Sequence, residues 1–231
     1  VETGQLSPHP TFETNITGAL HVLESCRIHS IAKVILASTS HVYGENKVPY
    51  REQYIPKPTR PYETSKACID LLAISYARTY RLPVYVSRFV NIYGPGDLNF
   101  SRLIPKTIRS VLKGEAPEMW GGKVVRDYLH VDDAVRAYIK LGEAQKSTEF
   151  KEQIFNFGSN NLLSAREIVE LIISVSGKSV GINKIPDLRE NEISIQYVSW
   201  AKAKRVLGWR PTVDIREGMK QTVYWYKLHN H

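Results

Sequence analysis

Two short stretches hold the residues whose types and spacing could do chemistry. The apolar run "VILA" (34–37) ends abruptly at three hydroxyls, Ser38, Thr39 and Ser40, followed by His41. After a polar, proline-bearing loop, Tyr62 and Lys66 stand four residues apart at the start of an apolar-periodic segment. On a helix, that spacing projects both side chains from one face. An ammonium beside a phenol favours the phenolate and lowers a pKa that is ordinarily about 10, which makes the tyrosine a general base. A Ser or Thr hydroxyl across the site would hold the oxygen that exchanges the proton. These parts suffice to oxidise a secondary alcohol if a hydride acceptor lies alongside. A Tyr/Lys pair at this spacing also arises by chance in a chain rich in both, so a solvated helix pair is the alternative. The context favours chemistry: a strand ending in hydroxyls, a loop, then the pair at a helix start behind Pro61.

The elements that must position these residues alternate. Thr11 is a candidate cap for a helix whose apolar positions are Phe12, Ile16, Ala19, Leu20, Val22 and Leu23, and "KVILAS" reads as a fully buried strand. The segment from about Tyr62 through "SKACIDLLAISYARTY" is the next helix and "LPVYVSRF" the next strand. Helix, strand, helix, strand is the rhythm of a parallel sheet with crossover helices. Then follow a Gly/Pro loop "NIYGPGDLNF", a helix "RLIPKTIRSVLKG", an extended "VVRDYLHV", a helix from Asp132 to Glu143, a strand "QIFNFG", a helix "SAREIVELIISVSG" and a C-terminal helical pair near 199–207 and 214–229. The expected fold is α/β: an incomplete Rossmann-like parallel sheet with flanking helices in residues 1–92, joined by the strand near 153–158, and a smaller substrate-binding lobe in 93–231. Ligands of open parallel sheets bind at the carboxyl ends of the strands, where Ser38, Thr39, Ser40, Arg88 and Asn91 fall.

Composition narrows the function classes. A chain of 231 residues with 42% hydrophobic content can bury a substantial core. No apolar run approaches the roughly 20 residues that span a bilayer, and "VETGQLSPHP" has neither the basic start nor the apolar stretch of a signal peptide, so a cytoplasmic protein without membrane partners is expected. The net charge of +8 is scattered, densest at "AKAKR" (201–205), which reads as a solvated helix face; a nucleic-acid partner is not expected. Cys26 and Cys68, far apart within helical patterns, indicate neither a disulfide framework nor a metal site and read as small hydrophobes.

The segments "NITGALHVLESCR", "VILASTSHVYG", "RPYETSKACIDLLAISYARTY", "RFVNIYGPGD", "VVRDYLHVDDAVRAY", "IFNFGS" and "AKRVLGWRPTVDIREGMKQTVYWY" together resemble the extended short-chain dehydrogenase/reductases that act on nucleotide sugars. They are most similar to the CDP-glucose 4,6-dehydratase branch. The resemblance spans nearly the whole chain and implies an NAD-dependent, or NADP-dependent, nucleotide-sugar epimerase or dehydratase that oxidises the sugar at C4. It makes Tyr62 the base, Lys66 the residue that holds Tyr62 and the nicotinamide ribose, and Thr39 the hydroxyl on O4. Ser38 and Arg88 join Tyr62 and Lys66 at the cofactor. Asn91 and Arg126 are implied at the substrate diphosphate, with Arg189 a second arginine for it. The residues themselves leave other roles open: turn capping for Asn91, an ion pair with Asp127 or Asp132 for Arg126, an ordinary surface position for Arg189. A homodimer formed through the Tyr/Lys helix and its neighbour is also implied.

Two departures qualify these expectations. Family members open with a strand and a glycine-rich turn of the G-x-x-G-x-x-G kind that holds the dinucleotide pyrophosphate. The sequence has no such turn, which implies weak dinucleotide binding by this chain alone and motivates an alternative, a truncated non-catalytic remnant that binds a nucleotide sugar or a protein partner. Second, 4,6-dehydratases follow the threonine with an acid and a base, commonly Asp-Glu or Asp-Lys. Here Ser40 and His41 stand there, His41 being either a base near neutral pH or a loop residue. Epimerases on this fold need only the Tyr, the Lys and a hydroxyl.

Overall fold

The structure is a computed structural model that describes residues 6–145, 153–186 and 192–229. Contacts divide the chain into two units. One comprises Val1–Val90, Arg136–Phe157 and Val198–Arg210; the other comprises Asn91–Val135, Gly158–Tyr197 and Pro211–His231.

The first unit is built on β1 (Val34–Thr39), β2 (Val84–Phe89) and β6 (Ile154–Phe157), a parallel sheet in the order β1-β2-β6. Val34 pairs with Val84 and Thr39 with Phe89, and Phe89 in turn pairs with Phe157. All six residues of β2 are buried, Ser87 and Arg88 among them. One core cluster gathers Leu23, Val34, Leu36, Ile69, Ala73, Tyr76, Leu82, Val84, Val86 and Ile154. Burying each of its larger aliphatic side chains contributes about 1.5–3 kcal/mol. Its helices are α1 (Pro8–Phe12), α2 (Gly18–Ile28) and α3 (Pro61–Tyr80). An aromatic group forms a further cluster: Phe89 and Phe157 stack at 4.9 Å, and Trp209 meets Phe157 edge-on at 4.9 Å.

The first helix differs from expectation. It begins at Pro8 rather than being capped by Thr11, because prolines fit the first turn, whose N–H groups have no intrahelical acceptor. A π-helical turn, Glu13–Thr17, separates α1 from α2. Within α2, Leu23 is fully buried while Leu20 and Val22 are exposed.

The second unit holds β3 (Asn91–Tyr93), β5 (Val125–His130), β7 (Leu162–Ser164) and β9 (Ile195–Gln196) in one mixed sheet, and β4 (Glu118–Trp120) with β8 (Asn183–Ile185) in a parallel pair. Of these only β5 was legible as an extended segment, and "NIY", expected in a loop, pairs parallel with β5. Helices α4 (Leu103–Leu112), α6 (Ala165–Ser176) and α8 (Ile215–Leu228) bury Ile104, Ile108, Ile168, Ile172, Met219 and Val223 with Tyr93 and Tyr128. Ser164 and Glu167 form a capping box that starts α6 where β7 ends. Two further helices complete the chain: α5 (Val131–Glu143), which crosses from the second unit's residues into the first's, and α7 (Ala201–Leu207) in the first. Among the described residues no helix is long and apolar enough to cross a membrane.

Candidate active site

At the carboxyl end of β1 the chain leaves the sheet through a 3₁₀ turn, Ser40–Tyr43. Thr39 is still extended (φ −146°, ψ 152°), and its Oγ1 accepts the His41 backbone N–H at 3.3 Å, so the threonine caps the turn that carries the histidine. Gly44 ends the turn at φ 54°; a Cβ there would lie 1.9 Å from the Lys57 carbonyl oxygen, so only glycine fits. The returning loop is pinned by Lys57 N–H donating to the Val42 carbonyl at 2.9 Å.

The loop delivers the chain to α3, where Pro61 occupies the first turn behind an extended Arg60. Tyr62 and Lys66 are both half-buried. Lys66 Nζ donates to the Ala37 carbonyl at 3.0 Å, which fixes the lysine against the strand that carries Ser38 and Thr39. Burial pushes the Lys66 pKa down, and the Asp70 carboxylate one turn further along partly restores it. A support absent from the sequence reading comes from the π-helical turn: Asn15 Nδ2 donates to Ser65 Oγ at 2.9 Å, and Ser65 Oγ donates to the Tyr62 carbonyl at 2.7 Å.

Arg88 lies within a buried polar layer. It is 2% exposed; Nε and Nη2 bind Asp70 Oδ2 at 2.9 and 2.7 Å, and Nη1 donates to the Tyr43 hydroxyl at 2.7 Å. That hydroxyl donates to Asn156 Oδ1 at 2.8 Å. Burial raises the Asp70 pKa, while the Arg88 charge and the nearby Ser38 hydroxyl oppose the rise. Ser38 Oγ, although close to Asp70, makes no well-aligned hydrogen bond. Burial also pushes the Tyr43 phenol up to about 12 against the pull of Arg88, so it stays a neutral donor. The structure therefore brings Ser38, Thr39, Ser40 and His41 to one strand end with Lys66 upon it, and places Arg88 in the layer of Asp70 and Tyr43.

The His41 ring meets a carboxylate that the sequence reading did not single out. Its Nδ1 lies 3.9 Å from Glu63 Oε1, and Glu63 Oε2 accepts the Thr59 N–H at 3.3 Å. Glu63 follows Tyr62 in the first turn of α3, where a negative charge is favoured by the helix dipole. Its burial could not be read from a polar residue in a solvated-looking "PYETSK".

In the second unit, Asn91 opens β3 beside Tyr128. Arg126, in β5, donates through Nη1 to the Val125 and Ile193 carbonyls at 2.9 and 2.8 Å and through Nη2 to Glu192 at 3.2 Å. Asp127 accepts from the Ser159 hydroxyl and N–H, and Asp132 lies 3.5 Å from the His130 ring. Arg189 lies outside the described residues. Cys26 and Cys68 are free thiols, and no group of three or more His, Cys, Asp or Glu side chains suited to a metal occurs among the described residues.

Known proteins resemble the chain over nearly its whole length. The chain is 33% identical over 218 residues to a dTDP-glucose 4,6-dehydratase of Streptomyces griseus, covering 94% of this chain and 65% of that protein. It is 29% identical over 227 residues to a UDP-glucuronate 4-epimerase of Thermodesulfobacterium geofontis, covering 96% and 67%. The chain thus spans about two thirds of the length of the curated relatives it matches. Among solved structures, a UDP-glucose 4-epimerase of Thermotoga maritima with UDP-glucose superposes at a TM-score of 0.92, 30% identical over 100% of this chain and 74% of that one. A dTDP-glucose 4,6-dehydratase of Streptomyces venezuelae with NAD bound superposes at 0.91, 29% identical, covering 100% and 70%. The fold is therefore the Rossmann-like α/β fold of these enzymes. A family model matches residues 1–158, and the chain belongs to the NAD dependent epimerase/dehydratase family.

Proposed function

We propose that the chain carries the catalytic centre of an enzyme that oxidises C4 of a nucleoside-diphosphate hexose, using NAD or NADP, as the first step of an epimerase or dehydratase reaction. The observation that carries the reading is Lys66 Nζ on the Ala37 carbonyl, which seats the Tyr62/Lys66 face of α3 beside the hydroxyl-bearing end of β1. The residues present fit the nicotinamide-ribose end of the cofactor: a half-buried phenol and a lysine ammonium on one helix face, with Ala37 exposed beneath the lysine. When bound, the dinucleotide supplies the hydride acceptor. Tyr62 takes the O4 proton, the Lys66 ammonium stabilises the phenolate, and Thr39 Oγ1 orients O4. Arg126, with Asn91, is assigned to the diphosphate, because a guanidinium fork matches phosphate oxygens. Arg88 would act on the cofactor side through the polar layer that it anchors rather than by direct contact. No observation favours the non-catalytic alternative.

The reading extends to a cytoplasmic homodimer. Supporting the dimer, Leu71 on α3 is 65% exposed, and Leu20 and Val22 on α2 are exposed as well.

The test is the purified protein given NAD or NADP with a panel of nucleoside-diphosphate hexoses, product being read by NMR. Tyr62→Phe is expected to lower turnover by about 100-fold or more, the scale of a lost general base. No C4-oxidised, epimerised or deoxygenated product from any sugar, with Tyr62→Phe indistinguishable from wild type, would refute the reading.

A further inference from the structure

We infer that Asp70 is the positioning residue for Lys66: its carboxylate, held in place by Arg88, keeps the lysine charged on the Ala37 carbonyl and so sets the pH range in which Tyr62 has its counter-charge. The inference rests on the proposed C4 oxidation and adds to that site a residue one helical turn beyond the Tyr/Lys pair.

The sheet gathers the neighbours of Asp70 in one row. Ser38 on β1 is in register with Arg88 on β2, and Arg88 with Asn156 on β6, so the three side chains share one face. Two residues back along each strand, Leu36, Val86 and Ile154 lie on that same face and pack with Ile69 and Ala73 of α3, which makes it the face that α3 covers. Asp70 follows Lys66 by four residues and lies on the same side of the helix. Lys66 reaches the Ala37 carbonyl at 3.0 Å, one residue before Ser38. Lysine and carboxylate thus meet the end of β1 from one helix face, and Arg88 fixes the carboxylate.

Stability alone does not account for this arrangement. A buried Arg–Asp pair gains little over apolar side chains of the same volume, and this one leaves polar atoms unsatisfied. Both guanidinium nitrogens use Asp70 Oδ2, at 2.9 and 2.7 Å, while Asp70 Oδ1 and Ser38 Oγ are buried without a hydrogen bond, which costs stability. An oxygen that Arg88 does not use remains available to attract a second cation. Burial lowers the Lys66 pKa, and the Asp70 charge, acting through space, opposes the fall. Two cations, Arg88 and Lys66, share one carboxylate, which leaves a positive charge uncompensated until Tyr62 becomes a phenolate. The neighbouring elements bring Arg88 from β2 and His41 and Tyr43 from the 3₁₀ turn to this end of α3, beside Tyr62 and Glu63 of the helix itself; β1 carries no ionisable side chain. Of these, Tyr43 is on Arg88 and His41 is beside Glu63, and in the preceding helical segments His9 pairs with Glu13 and Glu24 with Arg27. Asp70 is the acid whose charge acts on Lys66.

The purified protein with dinucleotide and a nucleoside-diphosphate hexose reports C4 oxidation as nicotinamide absorbance in single turnovers, followed across pH. In Asp70→Asn the alkaline limb of the profile is expected about one pH unit below that of wild type, because the lysine gives up its proton sooner, with KM for the sugar little changed. Asp70→Asn leaves Arg88 buried without its carboxylate and can fail to fold, so the double variant Asp70→Asn/Arg88→Met removes both charges together. Its Lys66 side chain, followed by NMR in the protein without substrate, is expected to titrate at lower pH than in wild type, and the alkaline limb moves with it. A purely structural role for Asp70 lowers the rate by the same factor at every pH. An alkaline limb that stays in place in the folded variant, or an unchanged Lys66 titration in the double variant, overturns the inference while leaving C4 oxidation standing. Absence of C4 oxidation in wild type removes the earlier reading and this one together.

Discussion

Arg88 and Asp70 share a single carboxylate oxygen: Nε and Nη2 reach Oδ2 at 2.9 and 2.7 Å, with the two side chains 3% and 2% exposed. Such a pair gains little over an apolar substitute, but breaking it leaves a buried charge alone, at a cost of about 3–5 kcal/mol. Arg88→Met is therefore expected to lower unfolding free energy on that scale. The pH dependence has a definite sign. Burial already raises the Asp70 pKa, and loss of Arg88, which opposes that rise, raises it further. A carboxyl whose folded pKa lies above its unfolded value costs stability when ionised and loses that cost as pH falls through the folded pKa. The deficit of Arg88→Met relative to wild type should shrink between neutral and mildly acidic pH in urea titrations. A deficit that grows on acidification would show that Asp70 is not the group left uncompensated.

Lys66 shows the opposite division between stability and activity. Its pKa is lowered by burial, so folding disfavours its charged form, and the resulting cost is present below the folded pKa and absent above the unfolded value of about 10.4. At neutral pH, Lys66→Met removes that cost and also removes the hydrogen bond to the Ala37 carbonyl, worth about 1 kcal/mol. The two changes oppose each other, so thermal unfolding should occur at or slightly above the wild-type temperature. C4 oxidation, by contrast, should fall by about 100-fold or more because the phenolate loses its counter-charge. A variant that is both unstable and active would assign Lys66 a structural role.

The difference between these two residues also shows what the sequence could reveal. Tyr62 and Lys66 were legible because a helix converts their spacing into a shared face, and β2 because Val84, Tyr85, Val86 and Phe89 are residue types that favour strands. Glu63, Asp70 and Asn15 were hidden for a physical reason: each is a polar residue whose burial depends on a partner distant in sequence, at 41, 88 and 65 respectively. Arg88 was placed by its position at a strand end, which says where the backbone lies and not which way a long side chain turns. The short strands of the second unit, three residues or fewer apart from β5, are set by pairing rather than by propensity, so "NIY" carries no alternation to read.

Leu71, 65% exposed on α3, provides a test of self-association. An exposed helix position tolerates substitution within about 0.5 kcal/mol, so Leu71→Glu should leave the unfolding of the isolated chain nearly unchanged. If the exposed apolar residues of α2 and α3 meet a second copy, the same variant buries a charge in that contact and shifts sedimentation equilibrium toward monomer. An identical molecular mass for wild type and variant over a wide concentration range would remove the dimer from the proposal.

Arg126 raises a question that its partner can answer. Its guanidinium is engaged with Glu192 at 3.2 Å and with the Ile193 carbonyl at 2.8 Å, and the two charged side chains are 12% and 16% exposed. If the arginine serves only to close that internal contact, Arg126→Met and Glu192→Gln should destabilise the protein comparably and leave KM alike. If it also receives the substrate diphosphate, the variants must diverge: Arg126→Met raises KM, because a bidentate donor to phosphate is lost, while Glu192→Gln retains the guanidinium and frees it from a competing carboxylate. Arg126→Lys sharpens the distinction, since an ammonium keeps the charge without the fork and should recover only part of the affinity. We expect KM to rise in the order wild type, Arg126→Lys, Arg126→Met, with Glu192→Gln at or below wild type. Equal KM values across all four proteins would confine Arg126 to holding β5 against the segment at 192–193.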